Sequence, residues 1–465
     1  MKIAKRTTFE GKPIITTPSV IGGAPDKPFF FRPTAIGERP ISISVGGLPM
    51  GLTFDGLTVG GVPPLSGCFY ITVKAENAVG TDEKVIRLEI YARAVQRTPL
   101  MGFTTWNAFD SRTTQDDVVR TAALLDETGL ADHGYLYVNL DSCWQDKYGG
   151  KYDAIEPSDK FPDMKGMVEK IHSRGMKAGI YSTPFLHAWG CPQEKEWIPG
   201  CTVGERDLRF PDANCGIGKD RREKNNVAQW CEWGIDYLKY DWTPTDAINA
   251  DIMRKALDES PRDFVYCVTV HADINCADYW RRNANSYRCG TDTTGKWETE
   301  SALFDSYEPW EKLTGYGHYY DLDMLAIGEM EARDCLLTDD EKVFAYSARA
   351  FLQSPIQLSC KLGSATDFEL DLYSNEEIIA INQDGLLSPA VYTVDESKLR
   401  VLERALENGD TAIGMFNSSD NEREISYDLK GEALVRDVWA KEDLGRMDKI
   451  CVKLPPHGAM IYRVK

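Results

Sequence analysis

The chain has 465 residues, 42% of them apolar and 27% charged, which suits a folded barrel-sized domain flanked by smaller modules rather than a disordered segment. Its formal charge of -19 and the lack of a basic stripe exclude a nucleic-acid partner, since that binding draws on clustered Lys and Arg to neutralise phosphates. No stretch approaches the roughly 20 apolar residues of a membrane span, so no membrane partner is expected.

In chain order, Met1 to Gly11 carries basic residues with no apolar run behind them, which is not a signal-peptide pattern. A cytoplasmic location is the default expectation, with a periplasmic or secreted one if a signal has been removed. From Lys2 to Arg93 short runs alternate apolar and polar residues between Pro and Gly, as in Lys27 to Phe31, Ile41 to Val45 and Phe69 to Ala75. Leu48-Pro-Met-Gly-Leu52 and the run from Gly67 to Gly80 resemble the immunoglobulin-like domains attached to bacterial polysaccharide enzymes. Residues 1–95 are therefore expected to form an N-terminal β-sandwich.

After Arg97 strands alternate with helices. Strands are predicted at Gly102 to Trp106, Tyr135 to Asp141, Lys177 to Ser182, Asp236 to Asp241, Phe264 to Thr269, Ser286 to Cys289, Asp323 to Ile327 and Ile356 to Ser359. Gln115 to Thr128, Met164 to Arg174 and Asn225 to Trp233 show apolar residues at helical spacing. Eight such pairs, with no G-x-G-x-x-G after any strand, favour a closed (β/α)8 TIM barrel over residues 96–387 rather than a doubly wound sheet. Lys219 to Lys224 contains Asp220 and Glu223 and reads as a solvated helix start. Beyond Gly385 short β runs return at Lys398 to Arg404, Thr411 to Phe416 and Met460 to Val464, so residues 388–465 are expected to form a C-terminal antiparallel β-sandwich.

Twelve cysteines are spread along the chain rather than gathered into a small disulfide scaffold. Cys191, Cys201 and Cys215 share one polar loop, where a local disulfide and free thiols are both open readings. Zinc is disfavoured there, because no pair has C-x2-C spacing and His187 stands alone.

A barrel of this kind assembles its active site at the C-terminal ends of the strands. Trp106, Asp141, Tyr181, Lys239, Asp241, Arg288, Asp292, Asp321 and Asp323 all fall at or just past predicted strand ends. Retaining hydrolysis of a glycosidic bond needs two carboxyl groups about 5 to 5.5 Å apart, one as nucleophile and one as proton donor. Asp241 and Asp292 suit these roles. Lys239 and Asp241 point to one side of a strand, and a nearby ammonium favours an ionised nucleophile. Asp292 lies four residues after Arg288, on a turn with Gly290. Trp106, Tyr181 and Asp141 offer an aromatic platform and hydroxyl partners. A lone Asp at a strand end more often caps the next helix, which is the reading for Asp246 and Asp278.

Six ordered runs carry a family resemblance: Thr98-Pro-Leu-Met-Gly102 with Trp106-Asn107; Gly134 to Asp141 with Cys143-Trp144; Gly179 to Ser182; Trp233 to Asp241; Asp321 to Leu325; and Ile381-Asn-Gln-Asp384. Together with Leu454-Pro-Pro-His-Gly458, they resemble glycoside hydrolase family 27 of clan D, the α-galactosidases and α-N-acetylgalactosaminidases. The resemblance implies a retaining double displacement with Asp241 as nucleophile and Asp292 as acid/base. It also implies sugar binding by Trp106, Asp141, Tyr181, Lys239, Arg288 and Asp323. A carbohydrate substrate is thus the expected partner, and no cofactor is expected because two carboxyl groups suffice for the chemistry.

The chain departs from that family where Ser142 replaces a second aspartate before Cys143-Trp144. Trp242-Thr243 takes the place of a cysteine after the nucleophile motif, so the family's disulfide to the preceding loop is not expected. Cys267-Val-Thr-Val-His271 occupies the stretch where the family selects the substituent at the sugar's second carbon, and Ser359-Cys-Lys361 stands in place of Ser-Asn-Asp. The expected activity is that of an exo-α-glycosidase releasing a galactose-type residue. β-L-Arabinopyranosidase and α-N-acetylgalactosaminidase are alternatives on the same scaffold, and an inactive carbohydrate-binding relative is an alternative of another class.

Overall fold

The computed structural model describes residues 2–184, 221–243, 245–269, 271–396 and 398–465. Among them, eight parallel strands form one sheet: β1 Met101–Thr104, β2 Tyr137–Leu140, β3 Lys177–Ser182, β4 Tyr237–Asp241, β5 Val265–Thr269, β6 Ser286–Arg288, β7 Tyr319–Asp321 and β8 Ile356–Leu358. The sheet runs unbroken from β7 through β6 to β1 and on to β8. It closes where Leu325, just past β7, bridges Leu358 in parallel, with the Leu325 N–H donating to Gln357 O at 2.8 Å. Each strand is followed by a helix: α1 Gln115–Glu127, α2 Met164–His172, α3 Glu223–Trp233, α4 Ala247–Asp258, α5 Ala277–Asn283, α6 Trp297–Asp305, α7 Asp339–Phe351 and α8 Asp367–Tyr373. The predicted barrel is therefore the observed one. None of the described helices is long and apolar enough to cross a membrane.

Local chemistry sets these elements. Thr114, Thr338 and Thr366 cap α1, α7 and α8 through reciprocal bonds with the acidic residue three positions on, which satisfies helix N–H groups that have no internal partner. Inside the barrel, Gly179 is required by proximity, since a Cβ there would stand 2.0 Å from Asn139 Oδ1 and 2.6 Å from the Tyr237 ring. β4 is pinned at its start by Asp236, whose carboxylate meets His172 Nε2 and Arg262 Nη2, each at 2.8 Å.

Two predicted strands differ from the structure. The seventh strand is Tyr319–Asp321, not Asp323 to Ile327. Asp323 has φ 65, a left-handed conformation that ends strand pairing, and only Leu325 of the predicted run returns to the sheet. Trp106 lies outside β1, in a short helix Thr105–Phe109, because the chain turns immediately after Thr104.

Before the barrel, a four-stranded sheet of Val20–Gly23, Thr81–Ile90, Gly67–Glu76 and Ser42–Gly46 is joined by a three-stranded one of Phe29–Phe31, Val59–Gly61 and Leu52–Phe54. Phe29, Phe31, Val59, Ile71, Val73, Ile86 and Leu88 form their shared core, separate from that of the barrel. This region docks through Arg32 to Asp126 at 2.8 Å and to Asp132 at 3.0 Å, and through Thr8 to His133 at 2.9 Å. Those partners lie just before β2, so the N-terminal region covers the end of the barrel opposite to the strands' C-terminal ends.

After the barrel, six antiparallel strands are ordered Val391–Glu396, Leu399–Ala405, Thr411–Asn417, Ala459–Val464, Arg423–Asp437 and Glu442–Leu454. Their alternation splits the side chains: Ile413 and Met415 join Leu399, Val401 and Ile450 in a core of their own, whereas Ala412 and Phe416 join the barrel core beside Phe344 and Phe351 of α7.

Candidate active site

A cleft of about 580 Å³ opens at the C-terminal end of the barrel, lined by Trp106, Asp141, Tyr181, Lys239, Asp241, Arg288, Asp292 and Asp323. All eight site residues expected from the sequence are thus brought together, from β3, β4 and β6 and from the turns after β1, β2, β6 and β7. Asp321 is not among them. It is buried below, where its carboxylate accepts the Asp323 N–H at 2.8 Å and supports the turn that carries Asp323. Asp246 caps α4 as expected, accepting the N–H groups of Ile248 and Asn249. Asp278 does not cap a helix; it lies in the first turn of α5, whose N-cap position is Cys276 and has no side-chain cap.

The charges interlock. Lys239 Nζ lies 2.8 Å from Asp141 Oδ2, which also accepts the Thr104 hydroxyl at 3.2 Å. Arg288 is 4% exposed and divides its terminal nitrogens between Asp292 Oδ1 at 2.6 Å and Asp323 Oδ1 at 2.8 Å. Thr293 N–H completes Asp323 at Oδ2, 2.8 Å away. Asp292 itself is 67% exposed, so its other oxygen faces solvent.

Burial pushes the Asp241 carboxyl up to about 6, against the opposite pull of Lys239 and Arg288 and with the charges of Asp141 and Asp292 adding to the rise. This refines the expectation from strand alternation: Lys239 does favour the Asp241 anion, but its ion pair is with Asp141, and desolvation outweighs it at Asp241. At Asp323, burial also opposes the charge, yet Arg288 and Lys239 prevail and hold it below the usual carboxylate range.

Gly290, between Arg288 and Asp292, owes its place to space rather than to flexibility. A Cβ there would stand 2.5 Å from Leu303 Cδ2.

Asn107, Asp110, Trp242, Thr243, Thr293, Met324 and Arg333 also line the cleft and were not singled out from the sequence as site residues. Thr293 and Met324 adjoin Asp292 and Asp323 and were within reach of the same argument. Arg333 belongs to no motif. Ser142, the departure noted above, does line the cleft, and its N–H donates to Asp141 Oδ1 at 2.8 Å. Cys267 and Thr269 line a narrow void beneath the cleft with Asp321, and residue 270 lies outside the described residues, as do Cys191, Cys201 and Cys215 with their disulfide question.

Residues 98–192 and 216–384 match the family described as alpha galactosidase A, and 396–464 match the alpha galactosidase C-terminal beta sandwich domain. The "Alpha-galactosidase A" of Cellvibrio japonicus is 26% identical over 405 residues, covering 79% of this chain and 92% of its own length. "Alpha-galactosidase 3" of Arabidopsis thaliana is 28% identical over 391 residues, 80% of this chain and 82% of its own. A Bacteroides fragilis crystal structure of a candidate alpha-galactosidase/melibiase superposes with a TM-score of 0.87 at 25% identity over 99% of both chains, the N-terminal β region included. A β-L-arabinopyranosidase from Geobacillus stearothermophilus shares the fold, with a TM-score of 0.71 at 23% identity over 79% of this chain and 97% of that one.

Proposed function

The chain belongs to the alpha galactosidase A family of glycoside hydrolases, family 27, and from that premise we propose that it is a retaining exo-α-glycosidase that removes a terminal galactose-type residue. The observation that carries this reading is a pair of aspartates on one cleft in opposite surroundings. Asp241 is held in the field of Lys239 and Arg288, while Asp292 is exposed and tied to Arg288 by one oxygen.

In the first step the Asp241 carboxylate attacks the anomeric carbon. The bond to the leaving oxygen breaks as Asp292 delivers its proton there. Arg288 occupies Asp292 Oδ1, so Oδ2 is the oxygen that carries this proton. In the second step water attacks the glycosyl ester on Asp241, its proton returns to Asp292, and the anomeric configuration is retained. Trp106 and Tyr181 supply apolar surface for the sugar ring, and Asp141, Lys239, Arg288 and Asp323 bind its hydroxyls in a prearranged network.

The names of the relatives support a galactose glycone. Ser142 favours a second reading, β-L-arabinopyranose or N-acetylgalactosamine, because a hydroxyl lines the cleft where the family carries a carboxylate. Nitrophenyl glycosides of the three sugars separate these. Asp241→Ala is expected to lower kcat at least about a thousandfold on the preferred sugar, and the first-released anomer, followed by NMR, is expected to keep the substrate's configuration. An inverted product, or activity indifferent to Asp241→Ala, would overturn the mechanism.

A further inference from the structure

The cations that meet the glycone are neutralised within the cleft: Lys239 by Asp141, and Arg288 by Asp292 and Asp323. Arg333 is different. It lines the cleft and is half-buried, yet its only hydrogen bond among the described residues runs from Nη1 to the carbonyl of Thr293. Of the carboxylates nearby in sequence, Glu331 pairs with Arg112 and Lys361 and Glu329 with Lys361, while Asp334, next to Arg333 in the chain, is exposed. Asp110, also on the cleft, has its Oδ1 bonded by the Ser111 N–H at 2.7 Å.

The segment that presents Arg333 is fixed. The N–H groups of Glu331 and Ala332 donate to Asn107 O at 2.9 and 3.1 Å, and Leu336 N–H donates to Gly295 O at 2.8 Å. Asn107 is 1% exposed and lines the same cleft, and neither end of its side-chain amide has a partner. A buried amide left unpaired is costly, which points to a ligand that completes it.

We propose that Arg333, aided by Asn107, forms a subsite for an anionic group, a carboxylate or a sulfate ester, on the leaving-group sugar of the substrate. The guanidinium is tethered to Thr293, the chain neighbour of the proton donor Asp292, so its unused donors lie on the side where the leaving group departs. Its planar fork matches an oxyanion with two parallel N–H bonds. The proposal rests on the glycosidase reading above and names the class of substrate that this site takes.

The test uses the full chain and two matched pairs of disaccharides: α-galactosyl-galacturonate with its methyl ester, and α-galactosyl-galactose 6-sulfate with its unsulfated parent. For at least one pair, kcat/KM is expected to favour the anion by about tenfold. That ratio is expected to fall toward one in Arg333→Gln and to be partly kept in Arg333→Lys. The pair that shows the effect identifies the carboxylate or the sulfate. Each ratio is taken within one variant, so a general loss of activity does not imitate it. Equal kcat/KM within both pairs, or a preference that survives Arg333→Gln, overturns the subsite and leaves the glycosidase reading intact. Calorimetric binding of the same probes to Asp241→Ala covers the converse. Anion-selective binding that depends on Arg333, with no turnover of any probe by the wild type, upholds the subsite and sinks the reading of an enzyme that releases α-galactose.

Discussion

In the proposed mechanism Asp241 must be ionised to attack, and its carboxyl stands at about 6 because burial outweighs the pull of Lys239 and Arg288. The proposed nucleophile therefore gains its charge only as pH rises through that value, and kcat/KM is expected to fall by about tenfold per pH unit below about pH 6. Lys239→Met removes a cation that favours the anion, so the acidic limb should move to higher pH. A limb that stays in place or moves down would show that Lys239 does not set the charge of Asp241. The pairing of Lys239 with Asp141 makes the direction firmer, since Asp141 without its partner disfavours the Asp241 anion further.

The element that positions Asp323, a proposed sugar ligand, is α7. Arg349, 1% exposed on that helix, donates to the carbonyls of Leu322 at 2.8 Å, Asp323 at 2.9 Å and Met324 at 3.1 Å, and pairs with Glu300 of α6 at 2.7 Å. Glu300 in turn accepts the Thr293 hydroxyl at 2.5 Å, so one buried ion pair braces the turns on both sides of Arg288. Arg349→Met strands the Glu300 carboxylate and three carbonyls, and is expected to cost about 3 to 5 kcal/mol in urea unfolding. Adding Glu300→Gln removes the stranded charge and should recover part of that loss. A single variant as stable as the wild type would refute the bracing role.

Across the whole molecule, the two flanking β regions are attached in different ways. The N-terminal region has its own core and meets the barrel, at the end away from the cleft, through polar contacts and a small apolar cluster of Val20 with Tyr319 and Leu387, whereas Phe416 of the C-terminal sheet and Trp439 of the turn after Arg423–Asp437 are part of the barrel core. Removal of residues 1–95 is thus expected to lower the melting temperature while preserving turnover of a nitrophenyl glycoside. Removal of residues 388–465 should leave no soluble, active chain, because it exposes the face of α7 that carries Phe344 and Phe351. Loss of turnover in a folded chain lacking residues 1–95 would contradict this division.

The sequence by itself determined the barrel, its order of strands and eight of the residues that meet at its mouth. Strand periodicity, helix spacing and the motif runs are local patterns, and in a parallel barrel every strand's C-terminal end leads to the same place. Tertiary structure alone decided three things. It placed the seventh strand earlier, at Tyr319–Asp321, because the left-handed turn at Asp323 is stabilised by Asp321 and by carbonyl contacts from Arg349, which is 26 residues away in sequence. It gave Lys239 to Asp141 rather than to Asp241, because β2 and β4 both face the cleft across β3. It also brought Arg333 to the cleft from a loop without any motif. Charge pairing and desolvation depend on which side chains converge through space, and spacing along one strand cannot report that.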